Sequence, residues 1–240
     1  MMRTRASSSN SCRRSDRAPA YEGNALHWRN ISADIPEEEN CSVFVTGLPS
    51  NIGYFDLLQR VRYGHIVQSH INPPTGNHYG AAAKIVFWDR AGAGRFMAAV
   101  RHREVAFLGC RVRATWNRVR VAPQDPADLT SSRVVRVQGP REIVNEQAIC
   151  VFLWSHFYFD LEEIVTIEQG QEGSILEIRF GSFWFQSENA FRFLRENHPD
   201  RQSMMVEWAH DPATLPMPRS EILVNRCQRF LQGQAVGKGR

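Results

Sequence analysis

Along Ser42 to Thr46 apolar and polar side chains alternate, the period of a strand with one face buried, and the alternation returns over Ala81 to Trp88. Between them Leu58 and Val61, three apart within Tyr54 to Arg62, predict a helix. His65 to Ile71 predicts a strand that stops at the turn residues Pro73-Pro74-Thr75-Gly76-Asn77. Asp89 can cap a helix whose Ala93, Phe96, Met97 and Val100 follow at the i, i+3, i+4, i+7 spacing of one helical face. Arg111 to Trp116 completes the block as a strand, and the predicted order is βαββαβ.

A second block repeats that order. Strands are predicted at Val134 to Val137, Ile164 to Glu168, Ile175 to Phe180 and Met204 to Trp208, with a turn at Gly170 to Gly173. Helices are predicted at Asn145 to Phe157 and Ser187 to Asn197. A repeated order of elements means two like domains. The expected organisation is a disordered Arg/Ser-rich tail over 1–40, domain 1 over 41–122, a linker at 123–130 holding Pro123 and Pro126, and domain 2 over 131–211. Residues 212–240 are a basic tail in which Ile222, Leu223, Cys227 and Phe230 fit one short amphipathic helix. The N-terminal tail shares its Arg/Ser-rich composition with mitochondrial presequences but lacks their apolar stripe.

Composition narrows the function. The chain has 240 residues and is 42% hydrophobic, enough to bury two cores. Its longest apolar run, Ala148 to Trp154, is far too short to span a bilayer, so no membrane partner is expected. Cys12, Cys41, Cys110, Cys150 and Cys227 are scattered without a Cys-x-x-Cys pair, which suggests neither a disulfide framework nor zinc, and fits a reducing compartment, cytoplasm or nucleus. The eight histidines form no metal-ligand spacing, and neither a Gly-x-Ser-x-Gly elbow nor a phosphate loop is present. Ser155 and His156, adjacent in a predicted helix, should point apart. No enzyme activity, metal or cofactor is therefore expected.

The net charge of +4 conceals an asymmetry: residues 41–120 carry 11 basic and 3 acidic side chains, whereas 131–211 carry 7 and 13. All the basic residues but Lys84 and Lys238 are Arg, the side chain suited to bidentate phosphate contacts and to stacking. Domain 1 is thus suited to an anionic partner and domain 2 is not.

Val43-Phe44-Val45-Thr46-Gly47-Leu48 resembles the RNP2 hexapeptide of the RNA recognition motif (RRM), and Gly80-Ala81-Ala82-Ala83-Lys84-Ile85-Val86-Phe87 sits where the RNP1 octapeptide belongs. Phe107-Leu108-Gly109-Cys110-Arg111-Val112 resembles the family's approach to its last strand. The resemblance implies an α+β chain of two ferredoxin-like βαββαβ domains, each a four-stranded sheet with helices on one face and single-stranded RNA on the other. It also implies non-enzymatic RNA binding, in the setting of mRNA processing. Of the three aromatic positions the family uses for stacking, Phe44 is kept, while Ala82 and Lys84 replace the two of RNP1. Strand alternation puts Phe44, Ala82, Lys84, Val86, Arg113 and Thr115 on the sheet face. Trp116, Asn117, Arg118 and Arg120, just after the last strand, are expected to pass over bound RNA.

In the second block the aromatic positions fall on Arg136, Ile175 and Glu177, and Arg136 should pair with Glu177 across the central strands. Domain 2 is therefore expected to be a divergent scaffold. Its first helix is apolar all round, and Phe152, Trp154 and Phe157 are expected to offer a surface to a protein partner. The competing reading is a protein-interaction module of RRM fold that has lost RNA binding.

Overall fold

The computed structural model describes residues 31–76, 79–125, 130–170 and 173–215. Domain 1 runs β1 (Ser42–Leu48), α1 (Tyr54–Leu58), β2 (Ile66–Asn72), β3 (Ala81–Phe87), α2 (Arg90–Arg101) and β4 (Arg113–Trp116). Domain 2 runs β5 (Val134–Gly139), α3 (Glu146–Trp154), β6 (Leu161–Gln169), β7 (Ser174–Phe180), α4 (Glu188–Glu196) and β8 (Met205–Trp208). Each half is an antiparallel sheet, ordered β2-β3-β1-β4 and β6-β7-β5-β8, so the α+β expectation of two βαββαβ domains holds. The expected short helix within 220–232 lies outside the described residues.

The local chemistry explains the elements. Asp89 accepts the Gly92 N–H at 2.6 Å and Asn145 accepts the Ala148 N–H at 2.9 Å, capping α2 and α3. The helix expected over Tyr54 to Arg62 is shorter than its pattern, because Arg60 and Val61 donate to Leu57 and Leu58 and tighten the last turn. At Gly47 the chain takes φ 79°, which places a bulge in β1 that a side chain would oppose. The inward residues of β1 and β3, Val43, Val45, Ala83, Ile85 and Phe87, bury completely against Leu57, Leu58 and Phe96 of the helices. Each burial of a Val, Ile, Leu or Phe among them contributes about 1.5–3 kcal/mol. Val135, Val137, Leu176, Ile178, Ile149 and Leu153 repeat the arrangement in domain 2.

Two boundaries differ from expectation. Residues 31–40, assigned to the N-terminal tail, run beside the chain that follows β4: Ala33 N–H donates to Arg120 O and the Asn40 amide donates to Asn117 O, at 2.9 and 3.0 Å. Backbone pairing of this kind leaves no hydrophobic period to read. Past domain 2, Ala213 returns to the core of domain 1, where its carbonyl accepts the Gly64 N–H at 3.0 Å, so 212–215 is not tail.

The domains meet along the edge strand β2. The Ser69 N–H donates to Ser182 Oγ at 3.1 Å, Ser182 Oγ donates to Ser69 O at 3.2 Å, and Ser69 Oγ donates to Gly181 O at 2.5 Å. Tyr54 of α1 lies against Gly181, where a Cβ would come within 3.0 Å of its ring. Behind this seam Arg133, fully buried, pairs with Glu162 and, at 2.9 Å, with Asp211. Burial disfavours its charge, but the two carboxylates outweigh that and hold the guanidinium protonated.

Candidate nucleic-acid interface

Strand register aligns His70, Lys84, Phe44 and Thr115 in one line across β2, β3, β1 and β4, on the side away from the helices. The next line is Asn72, Ala82, Thr46 and Arg113. All eight residues keep some exposure, with Thr46 and Arg113 the most exposed among them. Phe44 is the single phenyl ring among them, in the same line as the His70 imidazole. Thus Phe44, Lys84, Ala82, Arg113 and Thr115 come together as expected, and His70, Asn72 and Thr46 join them. Thr46 follows from alternation within β1, two residues after Phe44, whereas His70 and Asn72 follow from register, which alternation within one strand does not supply.

The line on the other side, Gln68, Val86 and Ser42, is buried. Val86 was expected on the open face, and it does point there, but with Val67 and Trp88 it forms a second apolar cluster covered by Val121, Phe183 and Trp184. One of the three lines of the domain 1 sheet face is therefore closed.

The segment after β4 departs further from expectation. Trp116 belongs to β4 itself and, one step from Thr115, turns to the helix side, where it packs on the core with the Arg90 guanidinium 3.2 Å from its ring centroid. It is not on the sheet face beside Phe44. The alternation that puts Arg113 and Thr115 outward already implies this. Asn117 accepts the Val119 N–H at 3.2 Å, and Arg120 donates to Ile35 O at 2.6 Å, so both brace residues 31–40 and the turn. Arg118 is exposed.

In domain 2 the equivalent line is Val165, Glu177, Arg136 and Glu207. Arg136 pairs with Glu177 at 2.8 Å and with Glu207 at 3.1 Å, the cross-strand pairing the sequence predicted, and Arg179 pairs with Glu163 at 2.5 Å. These charges satisfy one another and present no ring. Phe152 of α3 and Phe157 just beyond it pack against their own core, and only Trp154 of the expected partner surface is exposed, at 41%. Phe152 is held 4.5 Å from His198, and Phe157 stacks on Phe193 at 5.7 Å.

One expectation about Ser155 and His156 fails. They follow the end of α3 and touch, with Ser155 Oγ 2.9 Å from His156 Nδ1. Both also reach Phe152 O, at 2.7 and 2.8 Å. A carbonyl only accepts, so Nδ1 carries the proton there and does not serve Ser155 as a base. The pair closes the helix end. Among the described residues no group of three His, Cys, Asp or Glu is placed to hold a metal ion, and no helix is long and apolar enough to cross a membrane.

No family model matches this chain, and no curated protein does. Among solved structures it is similar to the first two RRM domains of yeast poly(U)-binding protein (Pub1), at 15% identity over 70% of this chain and 99% of that one, with a TM-score of 0.29. It is also similar to RNA recognition domains 1 and 2 of Sex-lethal from Drosophila melanogaster, at 14% identity over 71% and 100% of the two chains, with a TM-score of 0.27. A third similar structure holds the three N-terminal RNA-binding domains of the yeast splicing factor Prp24, at 10% identity over 70% of this chain and 64% of that one, with a TM-score of 0.31. The assignment of fold rests on topology. In each half the element order and the strand order are those of the ferredoxin-like fold to which the RNA recognition motif belongs, and the chain is two domains of that fold in tandem.

Proposed function

We propose that the protein is a non-enzymatic RNA-binding protein that takes single-stranded RNA on the open part of the domain 1 sheet. The observation that carries this reading is the line His70, Lys84, Phe44 and Thr115, a ring flanked on the neighbouring strand by a cation. Phe44 would stack a base, while Lys84 and Arg113 would meet phosphates, with Ala82 leaving room beside the ring and Thr115 offering a hydroxyl. Arg118 would extend the contact beyond β4. Trp116, Asn117 and Arg120 leave this list, because their contacts are spent on the fold. The excess of basic residues in 41–120 supports an anionic partner, and the self-paired charges of the domain 2 sheet support a scaffold role for that domain.

The test is fluorescence anisotropy of the full chain and of Phe44→Ala with a labelled pool of short single-stranded RNAs, at several salt concentrations. The expected result is binding that weakens steeply with salt, and a loss of about 1–3 kcal/mol in the variant. Absence of binding at low salt, or equal affinity for both chains, would overturn the reading.

A further inference from the structure

We infer that domain 1 carries a base-reading place beside Phe44, floored by Ala82 and flanked by Asn72 and Thr46, and that this place takes the edge of an adenine. This rests on the RNA reading of the domain 1 face. In the register of the sheet Ala82 lies between Asn72 on β2 and Thr46 on β1, with Arg113 next to Thr46 on β4. Thr46 follows Phe44 by two residues, so the place lies about 6.6 Å along the strand from the ring, on the same side of the sheet. A nucleotide there is the neighbour of the one stacked on Phe44.

The polar groups around Ala82 are not spent on the fold. Asn72 is half-buried and Thr46 is exposed, and among the described residues neither side chain makes a hydrogen bond. The methyl of Ala82 leaves open the space that a ring at the same position would fill. Domain 2 builds the equivalent line differently: Ile175 stands at the position of Ala82, with Glu168, Gln138 and Met205 along the line. The fold itself therefore does not call for an unpaired amide and hydroxyl on either side of a small residue.

The backbone holds both flanks. Asn72 ends β2 directly before Pro73, which keeps it extended. The bulge at Gly47 follows Thr46 and shifts the register of β1 against β3 there, a feature that re-aims neighbouring side chains. Two strand spacings separate Asn72 from Thr46, about 9.6 Å, so a two-ring base over Ala82 reaches both flanks and a one-ring base reaches only one. An amide sets an N–H donor beside a carbonyl acceptor, the pairing that meets N7 and the N6 amino group of adenine. Guanine puts its O6 acceptor where adenine has N6, which leaves the amide oxygen unpaired. The Thr46 hydroxyl donates to a remaining ring nitrogen, and Lys84 and Arg113 stay with the phosphates.

The experiment selects RNAs from a random single-stranded pool with the full chain, Asn72→Ala, Ala82→Phe and Phe44→Ala, sequences the bound fraction, and takes a thermal melt of each chain. The native chain is expected to enrich adenine at one position by about fivefold or more. Asn72→Ala should stay folded and bind the pool without that enrichment. Ala82→Phe should bind at least as tightly through its added ring, again with the enrichment gone, and it decides the matter if Asn72→Ala does not fold. Adenine enrichment that disappears in the folded variant supports the inference. No enrichment, enrichment of another base, or adenine enrichment that the variant retains overturns it, while a weakened Phe44→Ala leaves the sheet-face reading standing. Absence of binding by the native chain overturns both.

Discussion

Asp211, the residue after the last core segment of domain 2, accepts the Ile66 N–H of domain 1 through Oδ2 at 3.1 Å while its Oδ1 lies 2.9 Å from Arg133 Nε. One fully buried carboxylate thus serves a strand of one domain and a buried cation of the other. Removing it strands the guanidinium in a dry seam with Glu162 as its remaining counter-ion. Asp211→Ala is expected to cost about 3–5 kcal/mol in chemical denaturation. Asp211→Asn keeps an acceptor for Ile66 and should cost less. Equal stability of Asp211→Ala and the native chain would show that the carboxylate holds nothing together.

This seam was invisible in the sequence, and its residues show why. Alternation in β1 and β3 and the helical spacing of Ala93, Phe96, Met97 and Val100 are local signals, as are the caps Asp89 and Asn145, so both folds were legible. Ser69 and Ser182 are 113 positions apart and polar, and nothing local marks them as partners. The sheet-face set lay between these cases. Phe44, Lys84 and Arg113 followed from alternation, and so did the inward turn of Trp116, which its position at the very end of a short strand obscured. His70 needed a register that only the paired strands provide.

Gly181 is a second point where the seam admits no change. A Cβ there would lie 3.0 Å from the Tyr54 ring and 3.1 Å from Asp160 Cβ, tighter than packed atoms tolerate. Gly181→Ala is expected to destabilise the chain by about 1–3 kcal/mol through overpacking, measured by denaturation. Tyr54→Leu in the same chain should recover part of that loss. An Ala variant as stable as the native chain would mean that the domains separate freely at this contact.

Trp116 and Phe44 sit on opposite sides of one sheet and should part in their effects. Trp116→Ala removes a half-buried ring from the core and uncovers Arg90, an expected loss of about 2–3 kcal/mol of stability. RNA affinity, measured where the variant is still folded, should stay within about twofold of the native value. A large affinity loss without a stability loss would return Trp116 to the binding surface.

Salt dependence separates the two sheets. A cation on phosphate releases counter-ions, so Lys84→Gln is expected to weaken RNA binding and to reduce the slope of log affinity against log salt by about 0.7. Arg113→Gln should act in the same way. Arg136→Gln should leave the slope unchanged, because Arg136 is already held between Glu177 and Glu207. If the slope changes for Arg136→Gln and not for Lys84→Gln, the RNA lies on domain 2.

The pH dependence of stability should follow the buried His198 and the half-buried His65. His198 Nδ1 accepts the Asp200 N–H at 3.1 Å, an arrangement that needs the neutral ring, and its ring lies 4.5 Å from Phe152. Burial lowers its pKa, with the Asp200 carboxylate opposing; the Arg201 guanidinium also faces it, donating to His198 O at 3.5 Å. His65 is lowered as well, by burial first, with Asp211 opposing and His210 reinforcing. A lowered folded pKa means that the unfolded chain takes up the proton first. The stabilisation is full above the unfolded value of about 6.5 and is lost as pH falls through the folded value. His198→Asn, which supplies an acceptor that does not titrate, should flatten the fall in stability below about pH 6.5. Denaturation midpoints measured across that range check this, and a variant whose stability falls as steeply as the native chain's would assign the effect to His65.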